Sequence, residues 1–258
     1  MIKHFMNALS FLTIIPIKCT AKAQDIQSAV SFFPVVGFLE GLFLFFTVYV
    51  FKHFFSPLFL SALMLFLLFL VRGIFHMDGL SDTCDALFYK GTGDIEQDRI
   101  RRLEIMKDST VGVGGVSALV LVLLLKLCLF YEIILSSKTL LLLPIFTFSR
   151  WLIIPVMRFS RPAKKTGLGA LLVGSVDNRK LFYSSIFPTL LLLYFSINEF
   201  PFLPLSLFFT LLFIFFLKKL FEERFGGITG DNLGATIELT EIILPFSYLL
   251  LERLWQSI

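Results

Sequence analysis

Apolar residues in this chain run in long unbroken blocks and seldom alternate with polar ones. Seven blocks are long enough to be helical spans, at 33–51, 56–74, 115–135, 139–157, 181–197, 201–217 and 234–251. A helix rising 1.5 Å per residue needs about 20 residues to cross a ~30 Å hydrocarbon layer, and these blocks fit that length. The last is the least apolar, because it contains Glu238 and Glu241. Near the start, Lys3, the apolar stretch Phe5 to Ile17 and Ala21-Lys22-Ala23 loosely imitate a signal peptide, but Pro16 and Lys18 break the pattern. Thirteen apolar residues are too few to span, so a short interfacial or re-entrant helix is expected there. No repeat, linker or low-complexity tail divides the chain. The expectation is one domain over residues 1–258, all-α, a polytopic membrane bundle of about seven transmembrane helices.

Composition agrees. Of 258 residues, 57% are hydrophobic and only 16% charged, against about 25% charged in soluble domains. Thirty-three phenylalanines are too many for a water-facing surface to hide. Cys19, Cys84 and Cys128 form neither a CxxC pair nor a metal spacing, so three free thiols are expected.

A net charge of +4 might point to nucleic acid in a soluble protein, but in a membrane protein the placement of the cations is what informs. No nucleic-acid partner is expected; the lipid bilayer is. Eighteen of 23 Lys and Arg fall at the N-terminus and in every second connection, from Arg72 to Lys107, from Arg158 to Lys180 and from Lys218 to Arg224. The alternate connections and the C-terminus hold only Lys52, Lys138 and Arg253, while Lys126 and Arg150 lie within spans. This alternation supports seven spans and puts the N-terminus and the long polar loops on the cytoplasmic side.

The carboxylates share that side. If Phe75 to Asp85 is helical, Asp78, Asp82 and Asp85 lie at about 0°, 40° and −20° on one narrow face. Like charges so placed repel and call for a cation, and hard carboxylate oxygens suit Mg²⁺ or Mn²⁺. His76 points away from that face. Asp94 and Gln97 predict the start of an amphipathic surface helix, which carries Arg101, Arg102, Glu104, Lys107 and Asp108. Basic residues beside carboxylates are what a phosphate–metal site requires. A third group, Gly226 to Gly234, sets glycines and Asp231 before a helix whose Glu238 and Glu241 sit inside a span, where ionisable residues are functional or paired. Arg150 is a candidate partner for those two glutamates or for a phosphate.

At these residues the chain resembles the cobalamin synthase family, the adenosylcobinamide-GDP ribazoletransferases. The resemblance rests on His76-Met77-Asp78-Gly79-Leu80-Ser81-Asp82-Thr83-Cys84-Asp85, on Leu103 to Ser109 with Gly112, on Gly167-Leu168-Gly169 and on Gly226 to Glu241. Leu9 to Thr13 with Pro16 and the stretch Phe33 to Gly37 fit as well. The chain departs from the family pattern at Thr110, Asn232 and Lys164-Lys165-Thr166.

The resemblance implies a multi-pass protein of the bacterial cytoplasmic membrane with its site facing the cytoplasm. The implied reaction joins adenosylcobinamide-GDP, a corrinoid nucleotide, to α-ribazole or its 5′-phosphate and releases GMP, with Mg²⁺ as cofactor. On that reading Asp78, Asp82, Asp85, Asp108 and Asp231 form the metal set, and Asp82 or Asp85 also accepts the hydroxyl proton. Arg102, Lys107 and Arg150 hold phosphates, and Ser109, Gly230 and Glu238 complete the substrate-binding set. A homo-oligomer, or association with other cobalamin-assembly enzymes, is compatible with it. Two other functions compete. A CDP-alcohol phosphotransferase also packs aspartates on membrane helices, but its motif is absent. A transporter would gather ionisable residues at the bilayer midplane, where Glu40, Lys126, Glu132 and Arg150 are the candidates.

Overall fold

The computed structural model describes residues 2–17 and 23–258; Lys18, Cys19 and the Ala21-Lys22 pair, used above, lie outside the described residues. The described chain is helical, with one isolated parallel bridge between Pro162 and Ile228. Its helices are α1 (Ile2–Leu12), α2 (Ala23–Ala29), α3 (Phe33–Phe51), α4 (Pro57–Arg72), α5 (Phe75–Phe88) and α6 (Ile95–Ile105). Then come α7 (Val113–Leu135), α8 (Leu142–Arg158), α9 (Leu168–Leu172), α10 (Asn178–Asn198), α11 (Leu203–Phe225) and α12 (Gly230–Gln256).

Six of these segments are long and apolar enough to cross a membrane, and the bent pair α4–α5 makes a seventh when taken together. The protein is therefore an all-α, multi-pass membrane bundle. α8 and α12 are buried along most of their length and form its centre, whereas α10 turns most of its surface outward. Most expected span boundaries hold within a few residues, but the block at 56–74 breaks at Arg72, α12 runs from 230 to 256, and α11 runs on from 217 to 225. There the helix continues through charged residues, and Lys218 pairs with Glu222 one turn later at 2.8 Å. α1 has 11 residues and is no span, as its length predicts.

Between apolar helices in lipid, packing is decided by how closely the backbones approach. α3 lies on α8 through Gly37 and Gly41. A Cβ on Gly37 would overlap the carbonyl oxygen of Phe146, and one on Gly41 would sit 2.6 Å from that of Leu142.

Among the described residues, the centre of the bundle buries three acidic and three basic side chains. Glu40 comes from α3, Arg72 from the end of α4, Lys126 from α7, Arg150 from α8, and Glu238 and Glu241 from α12. Glu241 meets Arg72 at 2.9 Å and Lys126 at 2.6 Å, and it also pairs with Arg150. Glu40 pairs with Arg72 at 2.7 Å and with Arg150, while Lys126 also pairs with Glu238. Formal charge cancels, so five helices are tied at one point without leaving a net charge in the interior.

Two sequence expectations are corrected. Arg150 is fully buried against Glu40 and Glu241, so it is not a free phosphate ligand. Glu238, expected in the substrate-binding set, pairs with Lys126 and also lines a cavity between α4, α5 and α7. Arg72, counted as a loop cation, belongs to the bundle interior, because α4 stops there. α4 has 16 residues, about 24 Å, short of a complete crossing. The chain then turns through 96° into α5. Gly73 makes the turn at φ +67, and a Cβ there would lie 2.7 Å from the Ile14 side chain, whose own backbone N–H donates to the Val71 carbonyl at 2.8 Å. Only glycine meets both conditions.

Candidate active site

The turn after Arg72 lays α5 across the N-terminal end of α12, its main packing partner, and against the start of α7. The crossing with α12 is close. A Cβ on Gly79 would be 2.8 Å from the Asp231 carbonyl oxygen, and one on Gly234 would be 3.3 Å from the His76 Cα. Asn232 fixes the register. Its side-chain oxygen accepts from the Thr229 N–H at 3.0 Å while the Asn232 N–H donates to the Thr229 hydroxyl at 3.1 Å, a reciprocal cap of α12. The Asn232 amide then donates to Thr83 of α5 at 3.1 Å. The departure from the family pattern at this position is thus a cap and a helix tie in one residue. The spacing Thr229-x-x-Asn232 is a signal that a search limited to Glu or Gln at the fourth position misses.

α5 is helical over Asp78, Asp82 and Asp85, as the face argument requires. Asp78 is exposed and Asp82 half-buried. Asp82 lies within electrostatic reach of Asp78, Asp231 and Asp85, with Lys164 as its compensating cation. Asp231, in the first turn of α12, is half-buried and has Lys164 and Asp78 among its neighbours. Carboxylates therefore outnumber cations here, an arrangement that draws in a cation.

Lys164 is brought there by the isolated bridge, in which Ala163 N–H donates to the Ile228 carbonyl at 3.0 Å and Ile228 N–H to the Arg161 carbonyl at 2.9 Å. Partial burial holds the Lys164 ammonium below its usual range, Asp231 opposes that shift, and Lys107 reinforces it. Lys107 is thus the second cation of this neighbourhood, exposed beside Ser109 on the loop after α6. Sequence reading passed over Lys164 as a departure from the family pattern. Behind Lys164 a cavity of about 170 Å³ is closed by Gly167, Gly169, Thr229 and Gly230 at the N-terminus of α12. Gly169 packs there so tightly that a Cβ would be 2.9 Å from the Gly230 nitrogen. Backbone donors at the positive end of a 27-residue helix, with an ammonium alongside, suit a phosphate.

Three other expected site residues have protein partners of their own. The two carboxylate oxygens of Asp85 accept the backbone N–H groups of Gly115 at 2.7 Å and Gly112 at 2.8 Å, so Asp85 anchors the start of α7. Asp108 is exposed and closes a local turn, accepting from the Thr110 N–H at 2.9 Å and hydroxyl at 2.8 Å; those bonds hold its carboxyl below the usual range. Arg102 is buried over the Tyr89 ring and donates to the Tyr89 carbonyl at 2.8 Å, which pins the α5–α6 connection. The cap expected at Asp94 is present, accepting from Glu96 and Gln97 at 3.1 and 3.2 Å.

Among the described residues no three Asp, Glu, His or Cys side chains gather closely enough to hold an ion by themselves. Mg²⁺ characteristically takes one or two carboxylates and completes its shell with water and phosphate oxygens, so Asp78, Asp82 and Asp231 fit it by donor type when a phosphorylated substrate is present.

Comparison with known proteins identifies the family. The family model described as Cobalamin-5-phosphate synthase matches residues 4–249. The adenosylcobinamide-GDP ribazoletransferase of Thermodesulfovibrio yellowstonii is 49% identical over the whole of both chains. That of Acinetobacter baumannii is 35% identical over 95% of this chain and 96% of its own, and that of Clostridium botulinum 31% identical over 93% and 95%. No solved structure matches the chain. With the match running through α5, the Lys164 loop and the glycine-rich start of α12, this chain belongs to the cobalamin-5-phosphate synthase family.

Proposed function

We propose that the protein is an adenosylcobinamide-GDP ribazoletransferase, a Mg²⁺-dependent phosphotransferase of the cytoplasmic membrane. The observation that carries the chemistry is the meeting of Asp78 and Asp82 on α5 with Asp231 and Lys164 at the N-terminus of α12. In the reaction a ribose-ring hydroxyl oxygen of α-ribazole, one that stays free in its 5′-phosphate, forms a bond to the corrinoid-linked phosphorus of the pyrophosphate. The bond from that phosphorus to the GMP oxygen breaks, GMP leaves with the electron pair, and the hydroxyl proton passes to a carboxylate. Asp82 is our choice of acceptor, because it is half-buried among like charges that favour taking up a proton. Asp78 and Asp231 would hold Mg²⁺, leaving Asp82 to take the proton; the metal would supply charge neutralisation on the pyrophosphate and the departing GMP. Lys164 and Lys107 bind phosphate oxygens, and the first amides of α12 receive the guanylate phosphate.

The basic loops and these carboxylates share one side of the bundle, and the bias of Lys and Arg assigns that side to the cytoplasm. The site sits at helix ends rather than among the central ion pairs, where formal charges balance; this favours an enzyme over a transporter.

Membranes containing the protein, incubated with adenosylcobinamide-GDP, α-ribazole and Mg²⁺, are expected to yield cobalamin and GMP in equal amounts. Asp82→Asn is expected to lower turnover by at least a thousandfold while membrane insertion and melting temperature stay normal. Near-normal turnover in that variant would remove Asp82 from the chemistry.

A further inference from the structure

A second, larger cavity of about 550 Å³ lies between α4, α5 and α7. Its volume falls within the range of small-molecule sites, roughly 300–1,000 Å³. Leu68 and Phe69 of α4 and Leu119 and Leu123 of α7 make its walls apolar. Three polar residues of α5, His76, Ser81 and Asp78, line it as well, and so do Arg72, Lys126 and Glu238 of the ion network.

Two of these are unsatisfied. The Ser81 hydroxyl and the His76 Nδ1 have no hydrogen-bond partner, although Ser81 is 2% and His76 5% exposed. Buried polar atoms without partners are uncommon and costly, so a ligand atom is the natural partner for each. Asp78 is shared between this cavity and the carboxylate group around Asp82. A molecule seated here therefore has one end among apolar side chains and the other at the reacting centre.

We infer that this cavity is the seat of the acceptor nucleoside. Its aromatic heterocycle lies between the α4 and α7 walls, its sugar meets Ser81 and His76, and a ribose-ring hydroxyl is presented beside Asp78 to Asp82. The inference rests on the transferase reading and names the acceptor subsite of that reaction. The two substrates differ in what they need. The corrinoid is far too large for this space, and its guanylate carries charge that the Lys164 side of the site answers. A neutral, flat, largely apolar base fits the walls. A lipid acyl chain would also fit them, since Phe66 and Phe69 are exposed on the outer face of α4. Such a chain, however, would leave the Ser81 hydroxyl and His76 Nδ1 unpaired.

The test uses the whole protein in nanodiscs, with Leu123→Trp to fill the cavity and Ser81→Ala to remove one polar contact. Leu123 is partly exposed, so the larger ring can be accommodated without forcing the helices apart. Equilibrium dialysis of α-ribazole alone and initial rates against each substrate are measured. Leu123→Trp is expected to weaken α-ribazole binding and raise its KM at least tenfold, leaving the KM for adenosylcobinamide-GDP within twofold. Ser81→Ala is expected to raise the α-ribazole KM several-fold. Unchanged α-ribazole binding in a folded Leu123→Trp protein overturns the inference while wild-type turnover keeps the transferase reading. A lipid held in the cavity that α-ribazole does not displace, seen by native mass spectrometry, also overturns it. If wild type makes no product, the transferase reading fails; α-ribazole retained by wild type and lost in Leu123→Trp still supports the seat.

Discussion

Glu241 touches all three cations of the buried network, so its neutralisation is the sharpest test of what holds the bundle together. The carboxylate is fully buried and lies 2.9 Å from Arg72, 2.6 Å from Lys126 and in contact with Arg150, with the Ser149 hydroxyl donating to it at 3.3 Å. Glu241→Gln keeps the shape but leaves three cations against two anions, and it points an amide N–H₂ group at them. Removing one partner of a buried ion pair costs about 3–5 kcal/mol, because the charge left behind has no water to turn to. For a chain of this size about 1 kcal/mol corresponds to roughly 2–4 °C, so the apparent melting temperature is expected to fall by on the order of 10 °C.

The decisive comparison is a second substitution that restores neutrality. Lys126→Met removes a cation that touches both Glu238 and Glu241. Alone it is expected to destabilise as Glu241→Gln does; together the two leave two cations and two anions, and at least half of the loss should be recovered. The assay is heating in detergent at one fixed scan rate, with the folded fraction read by gel filtration, since membrane proteins often unfold irreversibly. If Glu241→Gln melts within 2 °C of wild type, or if the double variant shows the sum of the single losses, charge balance is not what stabilises the centre.

Three further outcomes follow from the geometry. Gly37→Ala places a methyl group onto the Phe146 carbonyl and is expected to cost about 1–3 kcal/mol by forcing α3 from α8; an unchanged melting temperature would refute the close crossing. Asp85→Asn replaces one acceptor oxygen facing a Gly112 or Gly115 N–H, so it should destabilise by about 1.5–3 kcal/mol while the folded fraction keeps its Mg²⁺ dependence. A shifted Mg²⁺ requirement at unchanged stability would instead make Asp85 a metal ligand. Lys164→Gln is expected to raise the KM for adenosylcobinamide-GDP about ten- to a hundredfold, the worth of one charge-assisted phosphate contact, and an unchanged KM would remove Lys164 from the site.

The spans are legible in the sequence because lipid demands an internally bonded helix with an apolar surface, and both demands are local. The end of α4 is not. Its apolar block runs on past Arg72, and only the positive φ at Gly73 and the contact with Ile14 reveal that the helix stops inside the bundle. Arg150 is readable as a partner for Glu241, since both stand inside spans. That Glu40 and Arg72 close the same network depends on the α3–α8 crossing, whose trace in sequence is the pair Gly37 and Gly41. The shared face of Asp78, Asp82 and Asp85 follows from 100° per residue and needs no tertiary knowledge. Which of the three is already satisfied does not follow, because the donors to Asp85 are backbone amides of α7, and backbone amides carry no residue code. Lys164 was obscured for a related reason: a bridge between two loops delivers it to Asp231 across more than sixty residues of sequence.

The two polar centres of the molecule, one structural and one chemical, are joined through Arg72. As the last residue of α4 it is held by Glu40 on one helix and Glu241 on another, so the point from which α5 departs is set by the ion network. Gly73 sets the direction of departure, and the Gly79 crossing with the Asn232–Thr83 tie sets where α5 comes to rest on α12. Asp82 is ten residues beyond Arg72 on this path, and the cavity between α4, α5 and α7 is the space under the bend, with Arg72, Lys126 and Glu238 at its floor. Loosening the network should then act at a distance. Variants such as Glu241→Gln that stay folded at low temperature are expected to lose turnover before they lose their fold, because α5 can shift on α12 while the spans remain in lipid. Full turnover per folded molecule in Glu241→Gln, up to the temperature at which it melts, would show that the network and the reaction site are independent.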